Sequence, residues 1–501
     1  MSDPSSAPAP PSHQDGIEHV VLLIMENHSF DQMLGALQQR FPDLDGVTPQ
    51  LASQRFNLTS RGERIYQSAT LERQMRFDPH HEHLDVMHQL AGNNGGFVSE
   101  FQSAYPGCSA ADLQEIMGYY PLDFLPALHR LGREFTVCDR WFASMPGPTW
   151  PNRFFALSGT CHGELLMPAG AQLLQPKWYT EQDQATLFSR MTEKSLSWRI
   201  YHYDFPCSLV LTQQRQAQNL CHYTAIGQFF EDAAGDAAAF PALTFIEPQY
   251  FGVAENDDHP PHNVMKAEKL IADVYNAVRS NPALWEKTLL VVIYDEHGGF
   301  YDHAAPPAAV APDACTSGWP FNQLGVRVPA LLISPRCARR IEHTAFDHTS
   351  LLKYLQDKWQ LGPLGERTAH ANSIGCAVGA APLNQLTTPF IRVPNADLIS
   401  ADVESEKDAT NANQEGLHHL AEFLYQEADV GMEHLVDLAA DAAQVAGVWV
   451  RAKHLLGRGF TKLGMWLSAD MRAAQARRLE RTRGALAHLQ AVRLAGVAGR
   501  P

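Results

Sequence analysis

Leu289–His303 has the sequence LLVVIYDEHGGFYDH. Its first half is an unbroken apolar run with Val291, Val292 and Ile293, bounded by Lys287 and Asp295. Such a run without alternation predicts a strand buried on both faces, at the centre of a parallel sheet. Polarity then reverses at Asp295-Glu296-His297, and Gly298-Gly299 let the backbone turn sharply before Asp302-His303. Open α/β sheets take their ligands beyond the carboxyl ends of the strands. Two acids at such an end point to a hard cation or a phosphate. The plainer alternative is a solvated acidic loop, and partners from other segments decide between the two.

The first partner lies near the start of the chain. Ile17–Met25, IEHVVLLIM, is a second buried-strand run, and it ends in Glu26-Asn27-His28-Ser29-Phe30-Asp31. A carboxylate and a carboxamide supply oxygen ligands, which suit magnesium, calcium, manganese or zinc rather than soft ions. Neighbours within a strand point to opposite faces, so Glu26 with Asn27, or Asp295 with Glu296, can share an ion only where the strand unwinds. Both pairs stand at such a place.

The 501 residues suffice for one large α/β domain with an appendage. With 45% hydrophobic and 19% charged residues the composition is that of a soluble globular protein. A net charge of −16 argues against general nucleic-acid binding. The leader MSDPSSAPAPPSHQDG, residues 1–16, has neither a basic nor an apolar region and reads as a disordered tail. Cytoplasmic synthesis without a cleavable signal peptide is expected, with export by a signal-independent route left open. The eight cysteines are scattered without a C-x-x-C pair, which predicts structural thiols.

Between the two strand runs, Ser29–Gln39 has helical spacing with Ser29 or Asp31 as cap, and residues 41–75 show no clear period. Phe77–His83 holds a dense imidazole cluster, for which a surface turn is the plain expectation. A helix over Leu122–Leu131 and a strand near Phe135–Cys138 lead to Pro146-Gly147-Pro148-Thr149-Trp150-Pro151-Asn152-Arg153. The prolines and glycine hold Thr149 rigidly at a helix start, where free N–H groups attract anions. Its hydroxyl is either a nucleophile toward phosphorus or a simple helix cap. Arg153, one turn on, suits a carboxylate or an anionic substrate. Trp198–Asp204 predicts a strand ending in His202, and Leu243–Glu247 another. The turn Asp257–His262 precedes an amphipathic helix with Val264, Ile271, Val274, Tyr275 and Val278 on one face. Ala304–Pro312 is a candidate rim, Val328–Ile333 a further buried strand, and Asp347–Thr349 caps a helix over Ser350–Trp359. Strands alternating with amphipathic helices define a doubly wound, mainly parallel α/β sheet flanked by helices.

Several of these segments together resemble the bacterial phosphoesterase family. They are ENHSFD (Glu26–Asp31), Met117–Arg153 with its PGPTWPNR, DDHPP (Asp257–Pro261), DEHGGFYDH (Asp295–His303), GVRVPALLISP (Gly325–Pro335) and DHTSLLKYL (Asp347–Leu355). That family comprises phosphatidylcholine-preferring phospholipases C and acid phosphatases on an alkaline-phosphatase-like core. The likeness runs through residues 17–395, which would form the catalytic domain. It implies one divalent metal ion, zinc, calcium, magnesium or manganese, held by Glu26, Asn27, Asp295 and Glu296. Thr149 would face the ion as ligand and nucleophile, with His81, His202 and His259 as the matching histidines. Family phosphatases are similar in carrying Ser at the nucleophile, so Thr149 implies a phospholipase C acting on a phospholipid through a phospho-threonine enzyme. The alternative is an acid phosphatase, a phosphomonoesterase, with the same site. His28 stands where the family often has Arg, which would alter the rim of the site.

From Ala396 the character changes, and residues 396–501 read as a helical appendage. Asp397–Asp441 holds twelve acids against Lys407, whereas Arg451–Arg500 holds eleven Lys and Arg against Asp470 and Glu480. The linker Asp402–Gly416 reads as polar and flexible, with Ala/Leu-rich helices over Leu417–Gly447 and Val448–Val497. The acidic and basic helices pair within one chain or across a homo-oligomer, or the basic one makes peripheral membrane contact, or both are solvated faces. A sulfatase is disfavoured because no C/S-x-P-x-R motif stands at the nucleophile, and the intact set of acids, Thr149 and histidines argues against a dead scaffold.

Overall fold

A computed structural model describes residues 15–168, 178, 181–252, 254–379, 381–382, 389–398, 411–421 and 423. Its main sheet has eight strands: β1 (His19–Met25), β2 (Thr136–Cys138), β3 (Trp198–His202), β4 (Tyr223–Ala225), β5 (Leu243–Glu247), β6 (Thr288–Tyr294), β7 (Ala330–Ile333) and β8 (Ile341–Glu342). Their order is β8-β2-β7-β6-β1-β5-β3-β4. The apolar run is central as expected: β6 pairs in parallel with β1 from His19 opposite Thr288 to Met25 opposite Tyr294. Every residue of both strands is buried. Each fully buried Val, Leu or Ile there contributes roughly 1.5–3 kcal/mol.

One side of β6 departs from the parallel expectation. β7 runs antiparallel to β6 and to β2. No helix lies between β6 and β7, and an antiparallel neighbour needs no crossover helix. The remaining pairs, β1–β5, β5–β3, β3–β4 and β2–β8, are parallel, so the sheet is mainly parallel.

Three helices matter for the site: α1 (Thr149–Ser158), α2 (Val264–Ser280) and α3 (His348–Trp359). α2 buries Val264, Ile271, Val274, Tyr275 and Val278, the face its spacing predicts, and Asn263 caps it. The helix expected over Leu122–Leu131 instead spans Leu128–Glu134. Pro126 disfavours helical backbone at the preceding residue, and the start is set from outside. Glu268 of α2 accepts from the N–H groups of Ala127 and Leu128. The short helix Phe30–Met33 is capped by Ser29, with a 3₁₀ turn at Gly35–Gln39 continuing it.

A buried cation locks the loop after β1 to the loop after β6. Arg327, fully buried, places Nε 2.9 Å from Asp302 Oδ1 and Nη2 3.1 Å from Asp31 Oδ1. His303 Nδ1 lies 2.9 Å from the second Asp31 oxygen. The loops carrying the candidate site residues are therefore fixed at their far ends.

At the chain ends the expectations meet the structure only in part. Residues 1–14 of the leader lie outside the described residues, but Asp15 is buried and accepts from Tyr354 Oη at 2.6 Å. Residues 411–416, read as the end of a flexible linker, lead into a helix over 412–421 (α4) whose Leu417 and Leu420 join the main core. The acidic and basic helices beyond it lie outside the described residues, as does most of the linker. Among the described residues no helix is long and apolar enough to cross a membrane. All eight cysteines are free thiols.

Candidate active site

Because β1 and β6 end side by side, Glu26-Asn27 and Asp295-Glu296 emerge together at the carboxyl edge of the sheet. Asn27 adopts left-handed backbone, φ 62°, which releases the pair from strand alternation; Asn tolerates that region better than most residues. Its N–H donates to Asp295 Oδ1 at 3.3 Å. Gly298, at φ 62°, packs so closely that a Cβ would collide with the Asn27 carbonyl. Only glycine meets both requirements there.

Pro148, not Thr149, occupies the cap position of α1. The Thr149 hydroxyl is thus not spent on capping; it is buried and donates to Asn27 Oδ1 at 3.4 Å. Asn152 stiffens the turn before it, accepting from Met145 N at 3.1 Å and donating to Gly147 O at 2.9 Å. Arg153 reaches past Thr149 to two acids. Its Nε lies 2.9 Å from Asp295 Oδ2 and its Nη2 2.9 Å from Glu26 Oε1, while Nη1 donates to Tyr250 Oη at 2.7 Å. Asp295 is further tied down by His348, whose Nδ1 accepts from Trp141, leaving Nε2–H to donate to Asp295 O at 2.7 Å.

One guanidinium cannot neutralise all the charge collected here. Burial drives the Glu26 carboxyl well above its usual range and Asp295 up to about 7, with Arg153 opposing both. Glu26 Oε2 and Glu296 Oε1 are buried without a hydrogen-bond partner. Glu296 Oε1 has only the His81 ring, 3.7 Å away, while Glu26 Oε2 has no partner, and an unpaired buried carboxylate oxygen is costly and calls for a cation. Carboxylate, carboxamide and hydroxyl oxygens from Glu26, Asn27, Thr149, Asp295 and Glu296 are the donor types a hard divalent ion takes, so the residues present fit such an ion. The acids do not close to within 4.8 Å of one another, as Asp31, Asp302 and His303 or His80, Asp85 and Glu100 do; Arg153 stands between Glu26 and Asp295. The first of those tighter groups already has Arg327 as its counter-charge.

Two of the three expected histidines face this cluster. His81 Nδ1 sits 2.7 Å from Pro79 O, so Nε2 points inward, 3.3 Å from Asn27 Nδ2 and 3.7 Å from Glu296 Oε1. Burial disfavours its charge, but Glu296 and Asp78 outweigh that and carry it up to about 9. His259 Nδ1 binds its neighbour Pro260 O at 2.6 Å, and its ring lies 5.9 Å from that of His81. Burial, reinforced by His81, holds His259 well below the ordinary value and hence neutral. His202 stands at the end of β3, two strands from β1, and its described contacts run to Asp204 O at 2.6 Å and to the Tyr223 ring. His28 is not on the rim: it is buried, stacked on Phe300, with Nδ1 2.7 Å from Gln32 Oε1.

Three contributors escaped the sequence reading. Tyr250 steadies Arg153 from the loop after β5, with its own Oη donating to Glu247 at 2.8 Å. His348 holds the Asp295 backbone. Asn413 of α4 donates through Nδ2 to Glu26 Oε1 at 2.8 Å and accepts from Trp150 Nε1 at 2.8 Å. His348 sits in a segment that carries a cap signal and Tyr250 lies three residues beyond a predicted strand, but Asn413 lies in a stretch whose composition signals only linker.

Comparison with known proteins adds the following. Residues 17–362 match the model of the phosphoesterase family. The chain is similar to non-specific phospholipase C6 of Arabidopsis thaliana, 37% identical over 344 residues that cover 64% of this chain and 62% of that protein. It is also similar to phospholipase C B of Mycobacterium tuberculosis, 29% identical over 422 residues, 72% of this chain and 79% of that one. The chain therefore spans less than two thirds of the plant relative's length. Among solved structures, a protein of the alkaline phosphatase superfamily from Vibrio parahaemolyticus aligns with 12% identity and a TM-score of 0.30, over 51% of this chain and 64% of that one.

Proposed function

This chain belongs to the phosphoesterase family, and from that premise we propose that it is a metal-dependent phospholipase C. It hydrolyses the phosphodiester of phosphatidylcholine-like phospholipids to diacylglycerol and a phosphorylated head group. The observation that carries this reading is the Thr149 hydroxyl, held on Asn27 at the first turn of α1 and not used as a cap, beside more buried carboxylates than nearby cations balance. The printed names of the plant and mycobacterial relatives support the same class of chemistry.

Glu26, Asn27, Thr149, Asp295 and Glu296 would hold a divalent cation, whose positive charge would polarise the phosphoryl group and acidify a neighbouring hydroxyl. The chain's own residues do the rest. Thr149 Oγ attacks phosphorus in line as neutral His259 takes its proton, and the bond from phosphorus to the glycerol oxygen breaks. His81, as imidazolium, gives its Nε2 proton to that departing oxygen. Water then attacks the phospho-threonine, passing a proton to His81, while His259 returns its proton to Thr149. Arg153 keeps Glu26 and Asp295 apart and oriented throughout.

The test is release of phosphocholine from phosphatidylcholine against release of phosphate from an aryl monoester. It uses chelated protein with zinc, calcium, magnesium or manganese restored in turn. Preference for the diester with one metal restored is the expected result. Preference for the monoester would make the protein an acid phosphatase with the same site, and full activity after chelation would overturn the metal.

A further inference from the structure

We propose that α4 is an internal latch on the metal site and that Asn413 is a positioning residue for Glu26, an inference that rests on the metal-dependent reading above. Residues 411–421 follow the family-matched part of the chain, which ends at residue 362, yet they reach one of its fully buried acids, Glu26. Asn413 itself is 1% exposed. Its amide is used at both ends: Nδ2 donates to Glu26 Oε1 at 2.8 Å while Oδ1 accepts from Trp150 Nε1 at 2.8 Å. Trp150 follows Thr149 directly, so one side chain spans a candidate ligand and the candidate nucleophile's helix.

A second contact falls on the other support of the same acid. Gln414 Nε2 donates to Tyr250 O at 2.7 Å, and Tyr250 Oη in turn receives Arg153, which grips Glu26 and Asp295. Gly416 lets the helix come this close, because a Cβ there would lie 2.7 Å from the Trp150 ring. Leu417 and Leu420, both fully buried, anchor the segment in the core.

The consequence for Glu26 is orientation. Oε1 is committed to Arg153 and Asn413, so Oε2, buried and unpartnered, is the oxygen left to face a cation. Without the Asn413 amide the carboxylate is held from one side only, and rotation can carry Oε2 away. Groups that orient a ligand from behind typically govern metal affinity by roughly 10–100-fold.

The experiment uses the full chain, chelated and titrated with Co²⁺, reading both the dissociation constant and the visible absorption of the bound ion. Asn413→Ala removes the donor. Gly416→Val pushes the helix off Trp150 without touching any ligand, and serves if Asn413→Ala does not fold. We expect either variant to weaken Co²⁺ binding by about 10–100-fold and to alter the absorption bands, which report the geometry of the ligands. Wild-type affinity and bands in a folded variant overturn the latch and leave the metal-dependent reading standing. A wild-type protein that binds none of Co²⁺, Zn²⁺, Mn²⁺, Ca²⁺ and Mg²⁺ overturns that reading and the latch with it; if only Ca²⁺ or Mg²⁺ binds, the same comparison of dissociation constants is made with that ion.

Discussion

Thr149 Oγ1 lies 3.4 Å from Asn27 Oδ1, so the residue that opens α1 and the one that follows β1 meet through side chains 122 positions apart. The contact is long, which makes it a poor source of stability and a good position for a reactive hydroxyl. Thr149→Ala is therefore expected to lower turnover by roughly 10⁶-fold, the scale of losing a nucleophile. Stability should change by only about 1 kcal/mol, the worth of one hydrogen bond. Thr149→Ser should keep much of the activity. Steady-state rates with a melting curve for each variant decide it, and an active Thr149→Ala protein would remove the covalent step.

Arg153 has a different signature, because it is fully buried between two acids. Arg153→Met leaves Glu26 and Asp295 facing each other without a cation, and removing one partner of a buried ionic group costs about 3–5 kcal/mol. The divalent ion proposed for this site would supply charge at the same place. Denaturant unfolding should therefore show a larger loss in chelated Arg153→Met than in the same variant with metal restored. Equal losses in both conditions would mean that the ion binds elsewhere.

Legibility in the sequence followed the range of the forces involved. β1 and β6 were readable because seven-residue runs of buried side chains advertise themselves locally, and the acids at their ends inherited that certainty of place. Thr149 and Arg153 were readable from the proline-glycine turn before them and from one-turn spacing. The start of the helix over Leu128–Glu134 is not legible locally because it is set by Glu268, 141 residues from Ala127 in sequence. The resemblance puts His28 on the rim because the family often has Arg at its position, but the direction of a side chain after a left-handed Asn27 cannot be read from order along the chain. Asn413 was invisible for the same reason: nothing in NANQEG shows that Glu26 lies at the other end of its amide.

His81 makes a prediction that separates an acid from a structural group. Its inward Nε2 and its value near 9 favour the charged form at neutral pH, although a cation on Glu296 would draw that value down. A positioned general acid is worth roughly 10²–10⁴-fold when the leaving group is a poor one. His81→Gln should therefore cripple cleavage of a lipid alkoxide and scarcely affect a nitrophenyl leaving group, which departs without a proton. Rates on the two substrate types give the answer directly. A uniform loss on both would assign His81 to binding.

His303 gives the last prediction, in stability versus pH. Burial works against its charge, but Asp31 above all, with Asp45, outweighs this and holds it at about 9 against an ordinary 6.5. A group whose folded value is raised contributes stability that is complete below the unfolded value and fades as pH rises through the folded one. The window is therefore about pH 6.5 to 9, and the shift corresponds to something on the order of 3 kcal/mol lost across it. His303→Gln keeps hydrogen-bonding capacity toward Asp31 but has no proton to lose in that range. Unfolding free energies from pH 6 to 10 should fall for wild type more steeply than for His303→Gln, the two curves converging at the alkaline end. Parallel curves would show that Arg327, 3.1 Å from Asp31 and 3.3 Å from His303 Nδ1, already supplies all the charge this network needs.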